Sequence, residues 1–290
     1  MYQQIAANKR KTVLMMVLFV LLVGGLSLLF TQFIGGTPSL SIYVLAGALI
    51  YAFITYFAAA KLATAMNGAH QIEKKDNPRF YRIVENLAIT NGTPMPKVYL
   101  MNDPAPNAFA TGRDPNHAIV AATTGLLDIM DDNELEGVMA HEMGHVKNYD
   151  IRVAMVAFGL VAAVGILADI ILRMAWFGGD DDDNASPLFF AIVIVAAILT
   201  PIVATLIQLA ISRKREYLAD ATGALTTRYP EALASALEKI KAHGSATKRP
   251  NTATAHLFFA SPLKKREFAS LFSTHPPIDE RIKHLRDMAQ

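Results

Sequence analysis

His141-Glu142-Met143-Gly144-His145 is the stretch on which the reading of this chain turns. Two histidines four positions apart lie on one face of an α-helix, so their imidazoles can share a single metal ion. The glutamate between them falls beside the ion's open position, where a carboxylate can take a proton from water. The surrounding residues favour a helix. Leu135, Val138, Met139 and Val146 make a stripe for burial with the histidines beside it, and Asn133 with Glu136 is spaced as a reciprocal capping box. Gly144 is a poor helix former, which predicts that another backbone or the metal site comes close there. No glycine or proline interrupts residues 146–152, so the motif helix is expected to run on into the apolar segment that follows.

The 290 residues are 52% hydrophobic and 18% charged, with a positive mean hydropathy. That balance predicts membrane spans. There is no cysteine, which excludes disulfides and thiolate sites and leaves His with Asp or Glu as the strong ligands. A net charge of +2, without a basic patch interleaved with aromatics, gives no support for a nucleic-acid partner. No phosphate-binding glycine loop is present.

Four segments, residues 13–34, 42–60, 153–176 and 188–211, are long and apolar enough to cross a bilayer. The first is too long for a signal-peptide core and reads as an uncleaved anchor. Lys9, Arg10 and Lys11 precede span one, Lys61, Lys74 and Lys75 follow span two, and Arg213, Lys214 and Arg215 follow span four. With four crossings all three clusters share one side, which the positive-inside rule makes the cytoplasm. Asp180 to Asp183 then form an external, solvated loop.

The expected fold is a mainly α membrane protein with four transmembrane helices and a cytosolic α+β domain carrying a small sheet. Its parts are an N-terminal hairpin (1–60), a first cytosolic piece (61–152), a second hairpin (153–211) and a second cytosolic piece (212–290). Asn77-Pro78 starts a helix that Asn91-Gly92 ends. Residues 97–100, 107–110 and 118–121 read as strands, and a short helix lies near 125–130. Helices follow over 212–225 and from Tyr229-Pro230, with a polar loop at 244–255.

Two histidines do not complete a zinc site, which usually takes three protein ligands and a water. The position six residues beyond His145 is Ile151, so the third ligand must come from elsewhere. Glu216, in Glu216-Tyr217-Leu218-Ala219-Asp220, is the best candidate, with Asp220 on the same helical face placed to accept a hydrogen bond from a ligand histidine. An acidic face paired with Arg213 or Arg215 is the plainer alternative. Two crossings between His145 and Glu216 would return the chain to the same side, so the charge pattern and the metal requirement agree.

At this point the chain resembles the HtpX-type membrane zinc metalloproteases, related to the CaaX prenyl endopeptidases. The likeness rests, in this order, on the N-terminal apolar hairpin, Asn107-Ala108-Phe109-Ala110, His141-Glu142-Met143-Gly144-His145, the second apolar hairpin, Glu216-Tyr217-Leu218-Ala219-Asp220 and Thr274-His275-Pro276-Pro277 with Arg281. It implies a gluzincin site with one Zn2+ per chain on His141, His145 and Glu216, and Glu142 as the catalytic base. It also implies that Asn107, Ala108, Phe109 and Ala110 form an edge strand to which substrate peptide adds. The implied role is quality control under stress, cleaving cytosolic segments of damaged membrane proteins from a multi-pass position in the cell membrane, with site and termini cytoplasmic.

His275 and Arg281 are candidates to stabilise the oxyanion; a rigid His-Pro-Pro turn with Asp279 and Arg281 as ion partners is the structural alternative. His70, His117, His243, His256 and His284 read as surface or core residues. Asp169 and Arg173 in span three read as a structural pair. Three rivals remain: a transporter, a non-catalytic membrane scaffold, and a CaaX-type processing enzyme. Few polar residues line the spans, no ligand or base is missing, and four spans are few for a CaaX chamber.

Overall fold

The computed structural model describes residues 2–34, 38–162, 213–244, 246–249, 254–260 and 276–289. Span four, most of span three, the acidic loop, Asp169, Arg173 and His275 lie outside them. Two long helices lead, α1 (Tyr2–Ile34) and α2 (Pro38–Met66). Among the described residues no single helix is long and apolar enough to cross a bilayer. Two stretches of α2, Leu45–Tyr51 and Tyr56–Met66, bent by 60°, meet the length and composition of a span only together.

The rest is mainly helical around a four-stranded mixed sheet of order β1-β2-β4-β3. β1 is Ala69–Gln71, β2 Lys97–Met101, β3 Ala108–Gly112 and β4 Ala118–Thr123. β2 and β4 run parallel, and the outer strands are antiparallel to their neighbours. β1 has no alternating pattern to announce it, and sequence reasoning missed it.

Both faces of the sheet are covered, so β3 and β4 are buried at every position. Ala108, Ala110, Val120 and Ala122 face α3 (Pro78–Asn91) and the motif helix α5 (Asp132–Lys147). Phe109 and Ala121 alternate to the other face, against Ala59 and Ala63 of α2 and Met155 and Phe158 of the helical stretch 150–162. α1 packs along that same stretch through Met15, Phe19 and Val23.

Local chemistry sets the helix ends. Asn77 caps α3 by accepting from Phe80 N, and Gly92 closes it at φ 63°, a left-handed position that suits glycine. α5 starts two residues earlier than expected. Its capping box is Asp131 with Glu134, not Asn133 with Glu136. The run Asp131-Asp132-Asn133-Glu134-Leu135-Glu136 holds two overlapping boxes, and the earlier one follows directly on α4 (Thr124–Ile129). The motif helix does not run on unbroken either. It ends at Lys147, and Tyr149 takes φ 62° before the helix resumes at 150.

Candidate metal centre

α5 and the acid helix (Arg213–Thr227) cross at the site. The close approach is at Gly223, where a Cβ would lie 3.0 Å from the backbone nitrogen of His141. Gly144 faces the same helix less tightly, since an added methyl would sit 3.5 Å from Ala219 and Thr222. The crossing brings Glu216 over the two histidines.

His141 and His145 stand edge to face at 89°, their Nε2 atoms 3.1 Å apart. Glu216 Oε2 lies 3.7 Å from His141 Nε2, and its Oε1 3.5 Å from His145 Nε2. Ligands bound tetrahedrally at about 2.0–2.2 Å stand roughly 3.3 Å from one another. The three separations bracket that edge, so the group fits one zinc-sized ion.

Each ring has its other nitrogen on a carboxylate. His141 Nδ1 is 2.8 Å from Asp220 Oδ1, and His145 Nδ1 is 3.0 Å from Asp150 Oδ2. Donation from Nδ1 leaves the Nε2 lone pairs facing the shared position. Arg281, 1% exposed, grips Asp220 at both oxygens, with Nε at 2.9 Å and Nη2 at 2.7 Å. Its guanidinium lies 4.7 Å over the ring of Phe259, which also meets the His141 ring edge-on. Asp150 receives the amide of Asn8 at 2.7 Å, and Arg215 Nη1 stands off at 3.7 Å.

The metal-free electrostatics follow from these supports. Burial pushes His141 down to about 4, against the charge and hydrogen bond of Asp220. Burial also opposes the charged form of His145, but the Asp150 hydrogen bond and the charges of Glu216, Asp150 and Glu142 outweigh it and raise the group to about 9. Burial works against the Asp220 anion too, yet Arg281 and His141 hold it near 2.

Glu142 is buried and lines the cleft with His145, Glu216, Ala110 and Arg215. Of the four residues expected along the substrate strand, only Ala110 faces this cleft. Asn107 instead bonds both backbone groups of Ala260, donating to its oxygen at 2.8 Å and accepting from its nitrogen at 3.1 Å. Ala108 O accepts from Phe259 N, and the Phe109 ring meets the Phe258 ring edge-on. A neighbouring segment of the chain therefore already covers the start of the β3 edge.

Other expectations need correcting. His256, expected as an ordinary surface or core residue, lines the cleft. Arg281 pairs with Asp220 rather than Asp279, which pairs with Lys241. Arg215 reaches toward Asp150 rather than compensating an exposed acidic face, since Glu216 and Asp220 are both buried. His275 lies outside the described residues. Sequence reasoning missed Asp150, Asn8 and His256; the one available signal was the five-residue spacing of Asp150 from His145.

A helix-borne His/His/Glu cluster on a small mixed sheet defines a metallopeptidase class, and the comparisons agree. Residues 74–289 match the profile of Peptidase family M48. The chain is 54% identical over 288 residues to a "Protease HtpX homolog" of Tropheryma whipplei (strain Twist), covering 99% of this chain and 98% of that one. It is 45% identical over 302 residues to the homologue of Streptococcus pyogenes serotype M28, covering 99% and 100%. The crystal structure of S. mikatae Ste24p superposes with a TM-score of 0.53 at 19% identity, covering 97% of this chain and 67% of that one, a likeness of fold. The chain belongs to peptidase family M48, and it is a metalloprotease similar along its whole length to the HtpX homologues.

Proposed function

We propose that this chain is a membrane-anchored zinc endopeptidase that cleaves cytosolic segments of membrane proteins, as in quality control under stress. The observation that carries the metal assignment is the gathering of two imidazole nitrogens 3.1 Å apart under the Glu216 carboxylate, one oxygen 3.7 Å from His141 Nε2 and the other 3.5 Å from His145 Nε2, in a chain with no thiolate. His141, His145 and Glu216 hold one Zn2+ per chain. Bound there, zinc supplies a Lewis acid that polarises a peptide carbonyl and acidifies water.

The remaining work falls to the protein's own groups. Glu142 takes a proton from the attacking water and passes it to the departing amine nitrogen. Asp220 and Asp150 keep both imidazoles oriented, with Nδ1 as the donor. His275 remains a proposed oxyanion donor; Arg281, committed to Asp220, serves the ligand shell instead.

Substrate peptide adds alongside β3 where that strand meets the cleft. Asn107 O accepts from β4 and Ala108 O from Phe259, so alternate residues point to opposite sides. Ala110 lines the cleft with Glu142, and recognition through main-chain groups there makes little demand on sequence.

The apolar surface of α1 and α2 supports the membrane reading, for which four crossings are proposed. Leu21, Ile42, Phe53 and Ile54, among others, expose more than half of their surface. An even number of crossings between 153 and 211 accords with His145 and Glu216 lying on one side. The domain division at 1–60, 61–152, 153–211 and 212–290 follows from the same topology.

Zinc content and casein cleavage by the purified full chain test this reading. Glu142→Gln is expected to retain about one zinc and lose at least about a hundredfold in rate. Full cleavage by zinc-loaded Glu142→Gln would refute its role. Because the chain has no cysteine, Asp181→Cys and Lys214→Cys give clean topology probes. The first is expected to label from outside intact cells and the second to stay protected.

A further inference from the structure

The N-terminal helix reaches the metal centre through one side chain. Asn8, Thr12, Met15, Phe19 and Val23 form a single buried stripe along α1, and Asn8 is 0% exposed at its polar end. Its amide nitrogen donates to Asp150 Oδ1 at 2.7 Å and to Asn148 O at 2.8 Å. The other oxygen of Asp150 is the one 3.0 Å from His145 Nδ1. One carboxylate thus bridges the N-terminal helix and a ring of the His/His/Glu cluster.

The turn that carries Asp150 is held from the same side. Tyr149 sits at φ 62°, a backbone conformation that costs a residue with a side chain, and it breaks the helix so that Asp150 folds back toward His145. Lys9 lies 4.8 Å over the Tyr149 ring and Arg152 lies at the same distance. Consecutive residues of α1, Asn8 and Lys9, therefore grip consecutive residues of the turn.

Asn8 is not what packing alone would select. A leucine or alanine would continue the stripe, whereas Asn8 Oδ1 is buried without a partner among the described residues. A buried unpaired oxygen costs stability, so what Asn8 contributes here lies in its N–H groups and in what they hold.

We infer that Asn8 is a positioning residue for the metal site, orienting Asp150 so that His145 presents Nε2, and thereby making metal affinity depend on docking of the N-terminal helix. The inference rests on the metal-site reading above. It assigns α1 a part in the site beyond anchoring.

The test is zinc affinity of the full chain in detergent, measured by competition with a chromophoric chelator and by the visible band of the cobalt-substituted protein. Removing a direct partner of a ligand histidine typically costs about 10–100-fold in affinity, so Asp150→Asn is expected in that range. Asn8→Ala, one step further out, is expected to lose roughly 3–10-fold and to shift the cobalt band in the same direction. The double variant should lose no more than Asp150→Asn alone, because Asn8 acts through Asp150. Thr12→Ala, on the same stripe but bonded only within α1, should bind zinc as wild type does. If Asn8→Ala is not recovered folded, Asn8→Ser keeps a donor and is expected to lose less than Asp150→Asn. Wild-type affinity in the Asn8 variant, or additive losses in the double variant, would overturn the inference. Zinc binding undiminished in Glu216→Ala would overturn the metal-site reading itself, and this inference with it.

Discussion

The two histidines of the motif have the same chemistry and opposite supports. His141 rests on Asp220, whose charge Arg281 neutralises through two hydrogen bonds; His145 rests on Asp150, held by a neutral amide with Arg215 only at 3.7 Å. Burial disfavours charge on both rings. On His141 it outweighs the pull of Asp220, which Arg281 also opposes, and the group falls to about 4. On His145 the Asp150 hydrogen bond and the charges of Glu216, Asp150 and Glu142 outweigh burial and raise the group to about 9 before metal arrives. One side of the site is preset for metal, and on the other the ion must displace a proton.

The largest effect is expected from Arg281→Met. It leaves Asp220 buried and uncompensated, a loss of about 3–5 kcal/mol in the metal-free protein, to be read by chemical denaturation. Little change would show that Asp220 is not ionised there.

Next comes Asp220→Asn, which should weaken zinc binding by about 10–100-fold at neutral pH. The matching Asp150→Asn should differ in kind. It removes the source of the proton on His145, so its loss should shrink at low pH, where the wild-type site is itself protonated. Parallel pH profiles for the two variants in the chelator assay would erase the distinction.

Metal-free stability should then peak near pH 6.5. Between 6.5 and about 9 the folded protein holds a proton on His145 that the unfolded chain releases, so stability falls as pH rises through that window. Between about 4 and 6.5 the unfolded chain protonates His141 while the folded protein does not, so stability falls as pH drops. Zinc should abolish the alkaline limb, and denaturation at a series of pH values with and without zinc checks both signs. The smallest effect is expected at the exposed Lys241–Asp279 pair, where Asp279→Asn should change stability by less than about 1 kcal/mol.

How far the sequence speaks depends on the range of each interaction. The His141, His145 and Glu216, Asp220 pairs were legible because helical spacing puts residues four apart on one face. The capping box was legible in kind and misplaced by two residues, since two boxes overlap at 131–136. Asp150 was hidden by the left-handed break at Tyr149, which no glycine or proline announces. Asn8 was hidden because a polar residue before an apolar span looks like its flank rather than a partner 142 residues away. His256 sits in a short segment with no periodicity to say which way it faces. Strands β2, β3 and β4 were visible as apolar runs, but only their pairing shows that Phe258 and Phe259 cover part of the β3 edge.

X-ray absorption at the zinc edge, on full-length Glu142→Gln protein loaded with one equivalent of zinc, addresses the metal assignment most directly. The account predicts two imidazole nitrogens and carboxylate oxygen around the ion, with one imidazole lost in His145→Ala and the carboxylate lost in Glu216→Ala. A shell with no imidazole, or one unchanged by Glu216→Ala, would contradict it.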